Sequence, residues 1–345
     1  MRLGSMSGSL LASVIAGILI FLLLIGAAPD AVPFSPNNYG WNGIQQVASS
    51  FPITFVDSPA LAKVSPQNRT VLLILQPILA FDNNDAEAIL SFAEHGGILV
   101  VSDSSGVSNL LLHRLGLGVS IEQNLTIRDD TYNWKASSFP IALTSPGSIS
   151  PSLFSGTRGI ALDNPSPLLV NPGSGASVVA FTSPVSVALE WSNGHTGAQV
   201  ARGPFPVVVE ESVGSGSVVV ISDSYFLTNG VWKYANNEVL IRHMLSNSTV
   251  YLDTSHWPPN TIASIRADLG AAYALLSAFP LRYLLTLALV GVGLSLIPIF
   301  SAPAIASPRV GKSSRKQGSA LDETGYDAEI LRRIRKDRER YGRPK

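Results

Sequence analysis

The chain has 345 residues, no cysteine, and equal numbers of basic and acidic residues, 24 of each. Without cysteine there is no disulfide framework, no thiolate metal site and no cysteine nucleophile. The neutral balance hides an asymmetry: residues 309–345 carry 12 Lys/Arg against 6 Asp/Glu, whereas residues 30–282 carry 11 against 18.

Residues 10–28 form an apolar run, and residues 283–306 form a second. Each is long enough to cross a hydrocarbon core of roughly 30 Å at about 1.5 Å per residue. The expectation is two transmembrane helices. A cleaved signal peptide is the rival reading of the first, with Ala27-Ala28 before the cut. Arg309, Lys312, Arg315 and Lys316 follow the second run closely, and such residues tend to stay cytoplasmic. The expected topology is therefore a two-pass cell-membrane protein. Residues 1–9 and a basic tail, 307–345, are cytoplasmic. A domain at 29–260 and a stalk at 261–282 lie outside. Asn68, Asn124 and Asn247 head Asn-x-Ser/Thr triplets in the outer part and are candidate glycosylation acceptors.

The domain opens with a Pro/Asn-rich linker, a short helix at 43–50 and a strand at 53–56. Residues 71–75 (VLLIL) form a continuous apolar run, as a strand buried on both faces does. Residues 82–94 have helical spacing, with Asp82 or Asn84 as the cap and Gly96-Gly97 as the stop. A strand at 98–101 and a helix at 109–115 follow. Residues 126–202 are rich in Pro, Gly and Ser, with short β runs at 177–181 and 185–191, which predicts a β-rich insertion or sheet edge. The α/β pattern resumes with strands at 207–210 and 218–221, a helix over 231–245 and a strand at 251–253. Alternation of this kind predicts an α/β fold, a mostly parallel sheet sandwiched by helices.

Two stretches echo each other. Ile98-Leu-Val-Val-Ser-Asp-Ser104 aligns without gaps with Val218-Val-Val-Ile-Ser-Asp-Ser224. Both read as strands ending in turns where Ser and Asp bond nearby amides. Ligands of open α/β sheets bind beyond the carboxyl ends of the strands. Asp103, Asp223, Ser104 and Ser224 are therefore the candidate ligand-binding residues, beside the plainer reading as turn and cap residues. Ser102 and Ser222 lie in the same turns, and neither turn has the Gly-x-Ser-x-Gly elbow of a nucleophilic serine. No residue is assigned as catalytic or as a metal ligand, and no cofactor is expected. Among the histidines no His-x-x-x-His pair occurs; Asp253 and His256 form the most suggestive acid–imidazole pair. The glycine-rich Gly173-Ser-Gly175 and Gly214-Ser-Gly216 lack phosphate-loop chemistry and read as turns.

VLLILQP, DNNDAEAILSFAEHGGILVVSD, LLLHRLGL and the later GSGSVVVISDSYFLTNG together resemble the domain-of-unknown-function 4350 family. That resemblance implies a flavodoxin-like or class I glutamine amidotransferase-like domain, and an accessory protein near MoxR-type ATPases. It implies no reaction. The expected function is a non-enzymatic, membrane-anchored interaction protein that binds the lipid bilayer and an envelope partner, with no nucleic acid. The alternatives are an ectoenzyme of hydrolase type or a ligand-sensing domain that uses the strand-end Ser and Asp residues. Residues 327–341 (DAEILRRIRKDRERY) can form a basic amphipathic helix or a plain topology signal.

Overall fold

The computed structural model describes residues 31–57, 63–66, 69–145, 151–192 and 195–258, and shorter stretches at 13–18, 20–22, 24, 265, 268–271 and 283. The strands are β1 (Ile53–Val56), β2 (Thr70–Leu75), β3 (Ile98–Ser102), β4 (Val119–Ile121), β5 (Leu125–Arg128), β6 (Ile141–Thr144) and β7 (Gly159–Ala161), then β8 (Leu168–Val170), β9 (Ser177–Phe181), β10 (Val187–Ser192), β11 (His195–Arg202), β12 (Pro206–Val213), β13 (Gly216–Ile221) and β14 (Thr249–Asp253). The helices of this part are α1 (Gln45–Ser50), α2 (Asn83–Glu94), α3 (Asn109–Arg114), α4 (Pro151–Phe154) and α5 (Asn237–Leu245), with a 3-10 turn at Tyr225–Leu227.

One sheet organises the domain, in the order β1-β14-β2-β3-β13-β12-β9-β6-β7. The first five strands pair in parallel. From β13 onward every pairing is antiparallel. The reversal happens at the β12–β13 hairpin, where Val213 pairs with Gly216 across a two-residue loop. Gly214 sits there at φ +57°, and a Cβ on it would lie 2.6 Å from the Glu94 backbone. Only glycine accepts both the left-handed conformation and the close approach.

Every residue of β2 is buried. The period of two divides them between two cores. Val71, Leu73 and Leu75 face one, with Val47 of α1 and Leu240, Ile241, Met244 and Leu245 of α5. Leu72 and Ile74 face the other, with Ala86, Ile89, Phe92 and Ala93 of α2 and Leu111 and Leu112 of α3. Of the two candidate caps of helix α2, Asp82 is the one used and Asn84 lies inside the helix. Asp82 accepts from the Asp85 N–H at 2.8 Å, and Asp85 reaches back to the Asp82 N–H in a capping box.

Two expectations are corrected. The fold is not a mostly parallel, flavodoxin/amidotransferase-like sheet sandwiched by helices and flanked by transmembrane helices. It is a nine-stranded mixed sheet in which β9, β6 and β7, from the region expected as a β-rich insertion or sheet edge, form the far edge of the main sheet itself. Among the described residues the helices are few, and three are short: α1 and α3 have six residues each and α4 has four. Part of the cover is β structure instead. Ile127 of β5 and Ala188 of β10, from the separate β11-β10-β5 sheet, join the first core, and Val119, Ile121 and Leu168 of the β4–β8 pair join the second.

The second correction concerns the membrane. Among the described residues no helix is long and apolar enough to cross one. This overturns the two-pass reading, with its outer domain and cytoplasmic ends. Of the expected span at 283–306 only Tyr283 is described, and residues 1–9 and the tail at 307–345 lie outside the described residues, as does Asn68.

Candidate functional site

Strands β2, β3 and β13 end flush, because Leu75 pairs with Ser102 and Ser102 pairs with Ile221. Their next residues, Gln76, Asp103 and Ser222, therefore start three turns side by side at the carboxyl rim. The sequence-predicted residues do meet here. Ser102 Oγ donates to the Asp223 carbonyl at 2.5 Å, and Ser224 Oγ lies 2.6 Å from the Ser102 carbonyl. Gln76, at φ +42°, joins the turns: its Oε1 accepts from Ser224 Oγ at 2.8 Å and Ser104 Oγ at 3.2 Å.

The two aspartates are fully buried but differently engaged. Asp103 Oδ1 accepts from the Ser105 N–H at 2.7 Å and its hydroxyl at 2.6 Å. Its Oδ2 accepts from the Ser108 N–H at 2.9 Å and its hydroxyl at 2.7 Å, which ties the turn to the start of α3. Asp223 accepts only two N–H groups, from Tyr225 at 2.7 Å and from Asp163 at 2.9 Å. Burial pushes the Asp223 carboxyl well above the usual range, against those hydrogen bonds, and the nearby Asp163 charge adds to the rise. Asp163 is itself raised by burial, although Asn164, Lys135 and Arg128 oppose the shift. Burial, then Asp163 and Asp223, raise the Tyr225 phenol.

Ser166 connects the turns to the rest of the chain. Its N–H donates to the Ser222 carbonyl at 3.2 Å, and its hydroxyl lies 2.7 Å from the Ser104 carbonyl and 2.9 Å from the Leu125 carbonyl. Ser222 Oγ is buried without a partner. Among the described residues no cluster of three or more His, Asp or Glu is placed to hold a metal. A cavity of about 460 Å³ lies elsewhere, lined by Val56, Lys63, Val64, Ser65, Thr70, Thr249 and Tyr251, and none of the strand-end Ser or Asp residues reaches it.

While polar groups turn inward at this rim, apolar ones turn outward. Trp41 stacks on Tyr225 at 5.5 Å between ring centroids and is 59% exposed; Tyr39 beside it is 68% exposed. Ile78 and Leu79, just past β2, are 58% and 44% exposed, and Leu110, in the first turn of α3, is 45% exposed.

The family model described as Domain of unknown function (DUF4350) matches residues 33–245. The chain belongs to the DUF4350 family. The match takes in Gln76, both aspartate turns and Asp163, and ends at the last residue of α5. No curated protein matches the chain. Among solved structures, the N-terminal domain of mmIFT52 is 16% identical over 53% of this chain and 76% of that one, with a TM-score of 0.37. An exo-beta-1,4-mannosidase from Opitutaceae bacterium strain TAV5 is 14% identical over 52% of this chain, with a TM-score of 0.30. A beta-galactosidase from Bacillus circulans sp. alkalophilus is 17% identical over 49%, with a TM-score of 0.29. The DUF4350 chain spans about a quarter of the length of these two enzymes, 25% and 22%. Overlaps this loose carry no argument about fold or activity.

Beyond the family match, Asp253 and His256 meet as their spacing suggests, with a third partner absent from the sequence reading. His256 Nδ1 lies 2.6 Å from Asp253 Oδ2, and Nε2 lies 3.3 Å from Asp85 Oδ2. Sequence reasoning also passes over Gln76, Asp163 and Tyr225. Gln76 has a visible signal, since it follows the apolar strand VLLIL as Asp103 follows ILVVS. Asp163 has none, because it lies 60 residues from Asp223. The candidate acceptors Asn124 and Asn247 are exposed and sit at φ +60° and +57°.

Proposed function

We propose that this DUF4350 chain is a non-enzymatic interaction module that binds a protein partner at the carboxyl rim of its sheet. One observation carries the reading. At that rim Asp103, Asp223, Ser104 and Ser224 are engaged by neighbouring turns, and the side chains offered outward are Tyr39, Trp41, Ile78, Leu79 and Leu110. Exposed apolar groups gathered at one end of a domain favour association, because covering them removes apolar area from water. Asp103, Asp223, Ser104 and Ser224 then hold the connections that present this surface. The family resemblance directs the first search for the partner toward MoxR-type ATPase systems.

Photo-crosslinking tests it. A photoreactive residue placed at Trp41 or Ile78 is expected to capture one defined protein in cells. The same residue at Ser215, in the hairpin at the opposite end of β13, is expected to capture none. Equal capture from both ends, or none from the rim, would refute the reading. The polar-ligand alternative predicts instead that Asp223→Asn abolishes binding of a small solute while leaving rim crosslinks intact.

A further inference from the structure

The Asp253-Thr-Ser-His-Trp257 segment folds back over the rim. The His256 carbonyl accepts from the Ile78 N–H at 2.8 Å and the Leu79 N–H at 3.1 Å, so this residue holds the two apolar side chains of the 76–81 connection in place. Trp257 Nε1 donates to the Leu75 carbonyl at 2.7 Å just before that connection. The imidazole is 3% exposed and stacks on Phe81 at 3.7 Å between centroids.

Its two nitrogens both face carboxylates. A neutral imidazole has one N–H and one lone pair, so it satisfies one carboxylate and turns a lone pair toward the other. Only the imidazolium donates to both. From β14 the facing group is Asp253, whose other oxygen accepts from Ser255 Oγ; from α2 it is Asp85, which also takes the Asp82 N–H at 3.4 Å. From the connection it is the Phe81 ring, whose carbonyl accepts from Arg114 of α3 at 2.9 Å.

We infer that His256 is a proton-operated latch: as imidazolium it pins the connection bearing Ile78 and Leu79 between β14 and α2, and on losing its proton it releases Asp85 and loosens that connection. The inference rests on the rim being the interaction surface, and it adds regulation to it. Burial lowers the His256 pKa, but the Asp253 and Asp85 carboxylates overcome this and leave it raised above 6.5. A raised histidine pKa stabilises the fold fully below about pH 6.5 and ceases to as pH rises through the folded value. The surface is thus ordered on the acid side and loosened on the alkaline side.

Hydrogen exchange on the full chain without partner tests this, read on peptides covering residues 77–82 and corrected for intrinsic rates between about pH 5.5 and 9. Protection of Ile78 and Leu79 is expected to fall about tenfold for each unit by which the imidazole titration lies above 6.5. Asp85→Asn keeps an acceptor for the Asp82 N–H and should shrink the step; His256→Gln should abolish it. If His256→Gln fails to fold, Asp85→Asn alone decides. Equal protection on both sides of the titration, or an undiminished step in Asp85→Asn, would overturn the latch. Rim crosslinking at pH 6 is independent of either result, so the latch and the interaction reading fail separately.

Discussion

The turns after β3 and β13 share the run Ser-Asp-Ser, at 102–104 and 222–224, on neighbouring parallel strands. Their aspartates nevertheless end in different hydrogen-bonding environments. Asp103 is surrounded by donors from its own turn, two backbone and two hydroxyl, all within five residues. Asp223 has one donor from its own turn and one from a residue 60 positions away, and it faces a second carboxyl. The following sequence and its folding make the difference: Ser105 and Ser108 supply hydroxyls to Asp103, whereas their counterparts after the second turn are Tyr225 and Thr228, and the Thr228 hydroxyl donates to the Tyr225 carbonyl at 2.7 Å instead. Burying a carboxylate is tolerable when hydrogen bonds replace its water, and costly when they do so only in part.

That contrast sets the scale of the largest predicted effect. Asp103→Ala leaves the buried Ser108 N–H, the Ser105 N–H and both hydroxyls without their acceptor and should cost about 3 kcal/mol in urea unfolding. Asp223→Ala removes a carboxyl that the fold already strains to keep charged, so its cost should be smaller, about 1 kcal/mol. Equal losses would break the comparison.

The same contrast has a sign in pH. A carboxyl raised in the fold binds its proton more tightly there than in the unfolded chain. Stability therefore falls as pH rises from about 4 toward the folded value. This fall should be visible in thermal unfolding of the native chain and reduced in Asp223→Ala, while an unchanged profile would remove Asp223 as its cause. Ser166→Ala severs the hydroxyl link from the 163–166 loop to the Ser104 carbonyl and should cost about 1 kcal/mol. The smallest effect is expected from Tyr39→Ser, within about 0.5 kcal/mol of native stability because the side chain faces water. Loss of rim crosslinking in that stable variant would confirm that the outer surface, and not the aspartate turns, makes the contact.

Much of the parallel half was legible. VLLIL, ILVV and VVVI are strands because a strand buried on both faces must be apolar at every position. Asp82 and Asn84 were both candidate caps before the helical stripe; the structure selects Asp82 and adds the return bond from Asp85. Helix α5 begins at Asn237, later than the apolar pattern from 231 suggested, since residues 231–236 form turns that feed Asn237 Oδ1 to the Ala161 N–H at 2.9 Å. The apolar runs at either end matched the length of a membrane span, but most of both lies outside the described residues, and no described helix has the length required.

By itself the chain determined the local elements: which segments are apolar on one face or two, which residues cap and turn, and which chemistry the missing cysteine forbids. Tertiary structure alone decided which strands of 126–202 extend the main sheet and which form separate cover, that Gln76 bridges two turns, that Asp163 presses on Asp223, and that His256 lies between Asp253 and Asp85. Periodicity and capping depend on neighbours within a few residues. Strand order, burial of charge and the meeting of an imidazole with a carboxylate 171 positions away depend on packing, which no local pattern encodes.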